Sequence, residues 1–182
     1  VLITGTTGFL GIHLLNEVLR SSADESVICL VRDREKLIRI WDEMFPNERF
    51  PQERVVVVCG DISKEHLGLS ADDYSMCIEH TAAIYHCAAD VRHFGQWETS
   101  YAVNTLGTQH VIELCFAAGA VLHHVSTISV NGYVLTSIGD KLVDEFTEEN
   151  LYIGQRYREN VYVHSKYLAE KRVLDARRDG LN

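Results

Sequence analysis

Val1-Leu2-Ile3-Thr4-Gly5-Thr6-Thr7-Gly8-Phe9-Leu10-Gly11 opens the chain, and its reading decides the fold. A short apolar run breaks into three evenly spaced glycines. An amphipathic stretch follows, in which Leu10, Leu14, Leu15, Val18 and Leu19 share one face. The pattern predicts a strand, a tight turn and a helix. Gly5 permits the turn, Gly8 lets the backbone approach a pyrophosphate, and Gly11 lets the helix pack closely on the sheet. The helix N-terminus offers free N–H groups and the positive end of its dipole to a phosphate. Thr6 and Thr7 add hydroxyl donors. The spacing is GxxGxxG rather than GxGxxG, and a glycine-rich turn alone is weak evidence. Placed between a strand and a helix, it predicts a dinucleotide site at the start of the chain.

Composition sets the frame. The chain has 182 residues, 46% of them apolar and 24% charged, enough for one α/β domain with a real core. Two prolines, Pro46 and Pro51, and the lack of a Pro/Gly/Ser linker mark no internal domain boundary. The whole of 1–182 is therefore expected to be one domain. A net charge of −9 argues against a nucleic-acid partner. No apolar run has the length of a membrane span. The five cysteines form no CxxC pair and are expected to be small buried hydrophobes in a reducing, cytoplasmic setting. The nine histidines show no ligand spacing, so no metal is expected. Residue 1 is already in a strand and residue 182 follows a helix end. The chain is therefore expected to be the front part of a longer protein.

Further along, strands are expected at 27–31, 55–58, 83–87 and 121–126, with helices near 33–44, 70–79, 101–118 and 161–178. This alternation predicts βαβ units and a doubly wound, mostly parallel sheet, with the ligand at the carboxyl ends of the strands. A sixth strand is expected after residue 182. At the end of the second strand, Arg32 can pair with a 2′-phosphate through forked, charge-assisted hydrogen bonds, which favours NADP. The alternative is a solvated Arg32, with Asp33 on the ribose. Asp61, after Gly60, either approaches the adenine amino group or caps a turn.

Tyr162 and Lys166 stand at i and i+4 on one helix face. An ammonium beside a phenol favours the phenolate and makes it a proton donor or acceptor near neutral pH. Thr127 ends the fifth strand, where a ligand in the sheet crevice would sit. Asn104 is a polar residue inside an apolar helix, and its role is either at the site or a buried structural hydrogen bond. His93, Phe94 and Trp97 either line a substrate entrance or simply pack.

These ordered motifs, with His86-Cys87-Ala88-Ala89-Asp90, Gly107-Thr108 and Ser126-Thr127, resemble the extended short-chain dehydrogenase/reductase superfamily over nearly the whole chain. Within it, the glycine turn, Cys29-Leu30-Val31-Arg32, Ala88 to Phe94, His124 to Thr127 and Tyr162 to Glu170 look most like the thioester reductase domains of nonribosomal peptide synthetases and carboxylic acid reductases. The resemblance implies a Rossmann fold cut before its C-terminal substrate-binding part. It implies NADPH as cofactor, bound by Gly5, Thr6, Thr7, Gly8, Phe9, Leu10, Arg32, Asp61, Ile62, Ala88, Ala89, Asn104 and Lys166. It also implies reduction of an acyl or peptidyl thioester on a phosphopantetheine carrier protein, within a multidomain synthetase. Thr127 and Tyr162 would bind the oxyanion, Tyr162 would give the proton, and Lys166 would tune Tyr162 and bind the nicotinamide ribose. Competing readings are an NAD-dependent sugar-nucleotide epimerase or dehydratase, a fatty acyl-CoA reductase and a non-catalytic dinucleotide sensor. The loop from Asn131 to Asn160 is expected to be a lid, a carrier contact or a plain surface excursion.

Overall fold

A computed structural model describes residues 1–132, 151–152, 154–157 and 159–182. Most of the proposed lid, 133–150 with 153 and 158, lies outside them. The strands are β1 (Leu2–Thr4), β2 (Val27–Val31), β3 (Val55–Cys59), β4 (Ala83–His86) and β5 (Val121–His124). They form a five-stranded sheet in the order β3-β2-β1-β4-β5, and every neighbouring pair is parallel. The order reverses between β1 and β4, which opens a crevice at their carboxyl ends.

Burial on both faces explains why the inner strands read as unbroken apolar runs. On one face, Ile3, Val27, Cys29 and Val31 pack on Ile12, Leu15 and Leu19 of α1 (Phe9–Ser21) and on Leu37 and Trp41 of α2 (Arg34–Met44). On the other, Leu2, Ile28, Leu30 and Ile84 pack on Cys77 of α3 (Ala71–His80) and on Val111, Leu114 and Cys115 further along the chain. The predicted Ser70 cap is present, with the Asp73 N–H donating to Ser70 Oγ at 3.1 Å.

The structure differs from expectation in four places. The helix expected at 101–118 starts earlier, as α4 (Trp97–Ser100), then widens into a π-helical turn at Tyr101–Leu106 before α5 (Gly107–Ala118). Gly119, at φ 63°, ends it as expected. The strand expected at 121–126 stops at His124. The Val125 N–H still bonds to His86 O, and Thr127 then caps a 3₁₀ turn, Ile128–Asn131. Three cysteines, Cys29, Cys77 and Cys115, are buried, but Cys59 is exposed and Cys87 is half-buried. A 3₁₀ turn at Glu65–Gly68, with His66, Leu67 and Gly68 all at positive φ, was not signalled by the sequence. The last helix, α6 (Val161–Arg178), starts on an Asn160 cap that accepts from the Val163 N–H. Beyond α6, Asn182 O accepts from the Leu122 N–H of β5. Among the described residues, no helix is long and apolar enough to cross a membrane.

Candidate active site

The glycine turn sits at the topological switch. Gly5 has φ 77°, and a Cβ there would lie 2.6 Å from the Ala88 N. A Cβ on Gly11 would lie 2.2 Å from Gly5 O. Both positions are closed by backbone, so both glycines are steric necessities of the β1–α1 and β1–β4 approach. Gly8 is different: a Cβ there would meet only Gly5 O, at 3.3 Å. The space beyond it is open, and Gly8 caps α1 with no side-chain hydrogen bond. The first-turn N–H groups of α1 thus keep their unpaired donors. No acidic residue stands in that turn. Phe9 and Leu10 are 78% and 52% exposed at its lip. An open, donor-rich helix start beside unburied apolar surface fits a dinucleotide pyrophosphate.

Thr6 needs correction. It is fully buried, and its hydroxyl, near the Cys29 thiol, has no hydrogen-bond partner among the described residues. Only its backbone can serve a phosphate. Ile62 is also buried, its side chain set against Gly107 and its carbonyl accepting from the His110 ring at 2.8 Å. Its side chain therefore faces the core.

At the end of β2, Arg32 is exposed and makes no ion pair among the described residues. Asp33 caps α2, its Oδ1 accepting from the Lys36 N–H at 3.0 Å. Asp61 Oδ1 accepts from the Ser63 N–H and hydroxyl at 3.0 and 2.7 Å. Burial pushes the Asp61 carboxyl up, but the Ser63 hydrogen bonds and the nearby Arg32 and Lys64 charges outweigh it and hold it below the usual range. Asp61 thus caps a turn, one of the two readings weighed for it, and the Arg32 charge lies nearby.

The second half of the crevice is a side-chain network. The Thr108 hydroxyl donates to Asn104 O at 2.7 Å, so it accepts from His86 Nε2 at 3.1 Å. Thr4 Oγ1 accepts from the Ala88 N–H and gives its proton to His86 Nδ1 at 2.8 Å. Every partner is consistent with one neutral tautomer, protonated at Nε2. Burial first, then the Lys166 charge, pushes His86 down to about 3. This chain locks Ala88 against the glycine turn.

Asn104 lies in the π turn and is buried. Its Oδ1 accepts from the Asp90 N–H at 2.7 Å, and its Nδ2 donates to Asp90 O and Ser165 Oγ, both at 2.9 Å. With both amide protons engaged by protein, Asn104 ties the β4 loop to α6, the buried structural role that was one of the two weighed for it. Thr105 adds a bond to Ser165 O at 2.9 Å. The widened π turn turns both polar side chains toward α6.

Lys166 is only 3% exposed. Its Nζ donates to Val125 O at 2.7 Å and lies 3.3 Å from His124 Nε2. Burial lowers Lys166 to about 8, with Glu170 and Cys87 opposing. Tyr162, one turn earlier on α6, is half-buried with its ring edge-on to His93 at 5.2 Å. Thr127 Oγ1 accepts from the Ser129 N–H at 3.2 Å, which leaves its own proton free to donate. His93 is fixed by Asn160 at 3.1 Å, and its carbonyl accepts from the Val161 N–H. Phe94 is 75% exposed, whereas Trp97 packs on Tyr101 and His164. Of the three entrance candidates, Trp97 is a packing residue. His86 and His124 lie in motifs quoted above, but their hydrogen-bond partners, and the Ser126 hydroxyl donating to Glu170, could not be read from spacing. A histidine at a strand end shows its partners only once the sheet is assembled.

The profile of the family described as male sterility protein, an NAD-binding family, matches residues 3–182. A glycine betaine reductase of Emericella nidulans is 30% identical over all of this chain, which spans 15% of that protein. A fatty acyl-CoA reductase described from Drosophila melanogaster is 27% identical over 96% of the chain and 40% of its own length. A thiolation-reductase di-domain of an archaeal nonribosomal peptide synthetase superposes with a TM-score of 0.81 at 31% identity, covering 99% of this chain and 39% of that one. The chain spans less than half the length of each. A glycine turn on α1, a sheet reversing at β1/β4 and the family match agree: the chain belongs to the NAD-binding male sterility protein family, whose solved structural neighbours include the terminal reductase domains of peptide synthetases in the extended short-chain dehydrogenase/reductase superfamily.

Proposed function

We propose that this chain is the front part of an NADPH-dependent reductase that converts an acyl or peptidyl thioester on a carrier-protein phosphopantetheine arm to an aldehyde, or by a second reduction to an alcohol. One observation carries the reading. The Lys166 ammonium is buried at the carboxyl end of β5, held on the Val125 carbonyl, one helical turn from Tyr162 and two residues from Thr127 along β5's extension. That assembly has no packing rationale of its own, because a buried ammonium is costly unless its charge is used.

The cofactor supplies the hydride when bound. The α1 N-terminus and the backbone of Gly8, Phe9 and Leu10 hold its pyrophosphate, and Ala88 and Ala89 border it from the β4 loop. Arg32 takes the 2′-phosphate. This is supported by its exposed guanidinium, which makes no ion pair among the described residues. Thr127 and Tyr162 donate to the oxygen that gains negative charge, as in an oxyanion hole. Tyr162 delivers the proton, and Lys166 holds a positive charge on the same helix face. Phe94 and His93 border the entrance on the Tyr162 side.

The test is NADPH oxidation by the full-length protein with an acyl-pantetheine thioester, with the product identified by mass. Aldehyde or alcohol formed with loss of NADPH is the expected result. No turnover, together with tightly retained NAD in the purified protein, would favour an epimerase instead. The likeness to the Drosophila protein supports a second source of thioester, acyl-CoA. Competition between CoA-linked and carrier-linked substrates separates the two.

A further inference from the structure

An ammonium has three N–H bonds and no lone pair. Lys166 directs one N–H to Val125 O at 2.7 Å and another to the His124 ring at 3.3 Å. His124 Nε2 must therefore be the acceptor, and the ring's proton sits on Nδ1. That nitrogen is buried and has no hydrogen-bond partner among the described residues. His86 lies alongside, with ring centroids 5.4 Å apart, and its own partners place its proton on Nε2. Two neighbouring histidines thus hold opposite tautomers.

We propose that His124 is a positioning residue for Lys166: its neutral Nε2 and the Val125 carbonyl fix two of the three ammonium N–H bonds and leave the third for the crevice. The role rests on the reading of Lys166 as part of the reductase site. An unpartnered Nδ1–H inside a folded protein is a cost that a purely structural histidine would avoid. Here it is the consequence of presenting Nε2 to the ammonium. Burial, then the Lys166 charge and His86, hold His124 well below its ordinary range, which favours the neutral ring and its acceptor nitrogen.

The groups facing Lys166 come from three elements. His124 is on β5, His86 ends β4 with Cys87 just beyond it, and Glu170 is on α6 itself, with its carboxylate receiving the Ser126 hydroxyl. Glu170 and Cys87 favour the charged amine, while burial opposes it. Removing the His124 acceptor takes away stabilisation of the charged form only, so the Lys166 midpoint falls.

The experiment is NMR on the full chain carrying labelled histidine and lysine. In the wild type, the His124 ring shifts report the Nδ1–H tautomer, and those of His86 report Nε2–H. In His124→Phe, the Lys166 midpoint drops by about one pH unit, the size of a lost hydrogen bond to a charged group. His124→Gln, whose amide oxygen reaches the position of Nε2, restores it. An Nε2–H tautomer at His124 overturns the proposal. So does a Lys166 midpoint unmoved in His124→Phe, or lowered equally in both variants. The tautomer measurement needs neither variant to fold and no turnover. Its failure is thus distinct from a failure of the reductase reading.

Discussion

The two sides of the crevice are built in opposite ways. The β1–α1–β2 side is made of backbone, from residues adjacent in sequence: a turn, a helix start and a strand end within the first 32 positions. The β4–α5–β5–α6 side is made of side chains far apart in the chain. Its bonds join residues separated by 61 positions (Asn104 and Ser165) and 41 (Val125 and Lys166), and a bond across 82 positions (Thr4 and His86) ties it to β1. The first side binds through geometry that only glycine allows. The second depends on polar groups that must satisfy one another away from water. Their responses to substitution should differ accordingly.

The largest effect is expected at Gly11. An alanine there places its Cβ 2.2 Å from Gly5 O, a backbone clash that should cost about 3 kcal/mol or more and abolish folding or lower the melting temperature sharply. Next is Tyr162→Phe, which should cut turnover by a factor of about 10² to 10⁴ while leaving nucleotide affinity and the melting curve nearly unchanged. Parallel loss of affinity and stability would make Tyr162 a packing residue instead.

His86→Leu should cost about 1–3 kcal/mol, because the Thr4 hydroxyl proton loses its acceptor and the Thr108 oxygen loses a donor. It should also change the acid limb of stability. Folded His86 sits near 3 against an ordinary 6.5. Between those values the unfolded chain takes up the proton and the folded chain does not. The contribution is therefore complete above about 6.5 and is lost as pH falls toward 3. Denaturant titrations across this range should show that slope in the wild type and a shallower one in the variant. Arg32→Ala should weaken NADPH by about tenfold and NADH little, the worth of one charge-assisted contact. Equal weakening would remove the 2′-phosphate assignment. The smallest stability effect is expected at Gly8→Ala, within about 1 kcal/mol, since the added methyl meets one oxygen at 3.3 Å. Nucleotide affinity should nevertheless fall. Gly8 and Gly11 thus separate binding from folding inside one motif.

The same contrast explains what could be read before the structure. The glycine turn, the order of strands and helices, the Ser70 and Asp33 ends of helices and the Tyr162/Lys166 spacing are local patterns, and each is present. Thr6 and Asn104 could not be placed from the sequence because a polar side chain in a motif gives no sign of whether it faces ligand or core. Thr6 turns toward Cys29, and Asn104 bridges Asp90 and Ser165. The π turn escaped because an apolar period over 101–118 looks the same with or without one wide turn. His124 escaped because its partner lies 42 positions away on α6.

The central claim is that both sides of this crevice serve one dinucleotide. The most direct measurement is the structure of the protein bound to NADPH. The account predicts the pyrophosphate on the α1 N-terminus at Gly8, Phe9 and Leu10, the 2′-phosphate on Arg32, and the nicotinamide ribose within hydrogen-bond reach of Lys166. A nucleotide bound away from the β1/β4 crevice, or one whose nicotinamide end leaves Lys166 untouched, would contradict it.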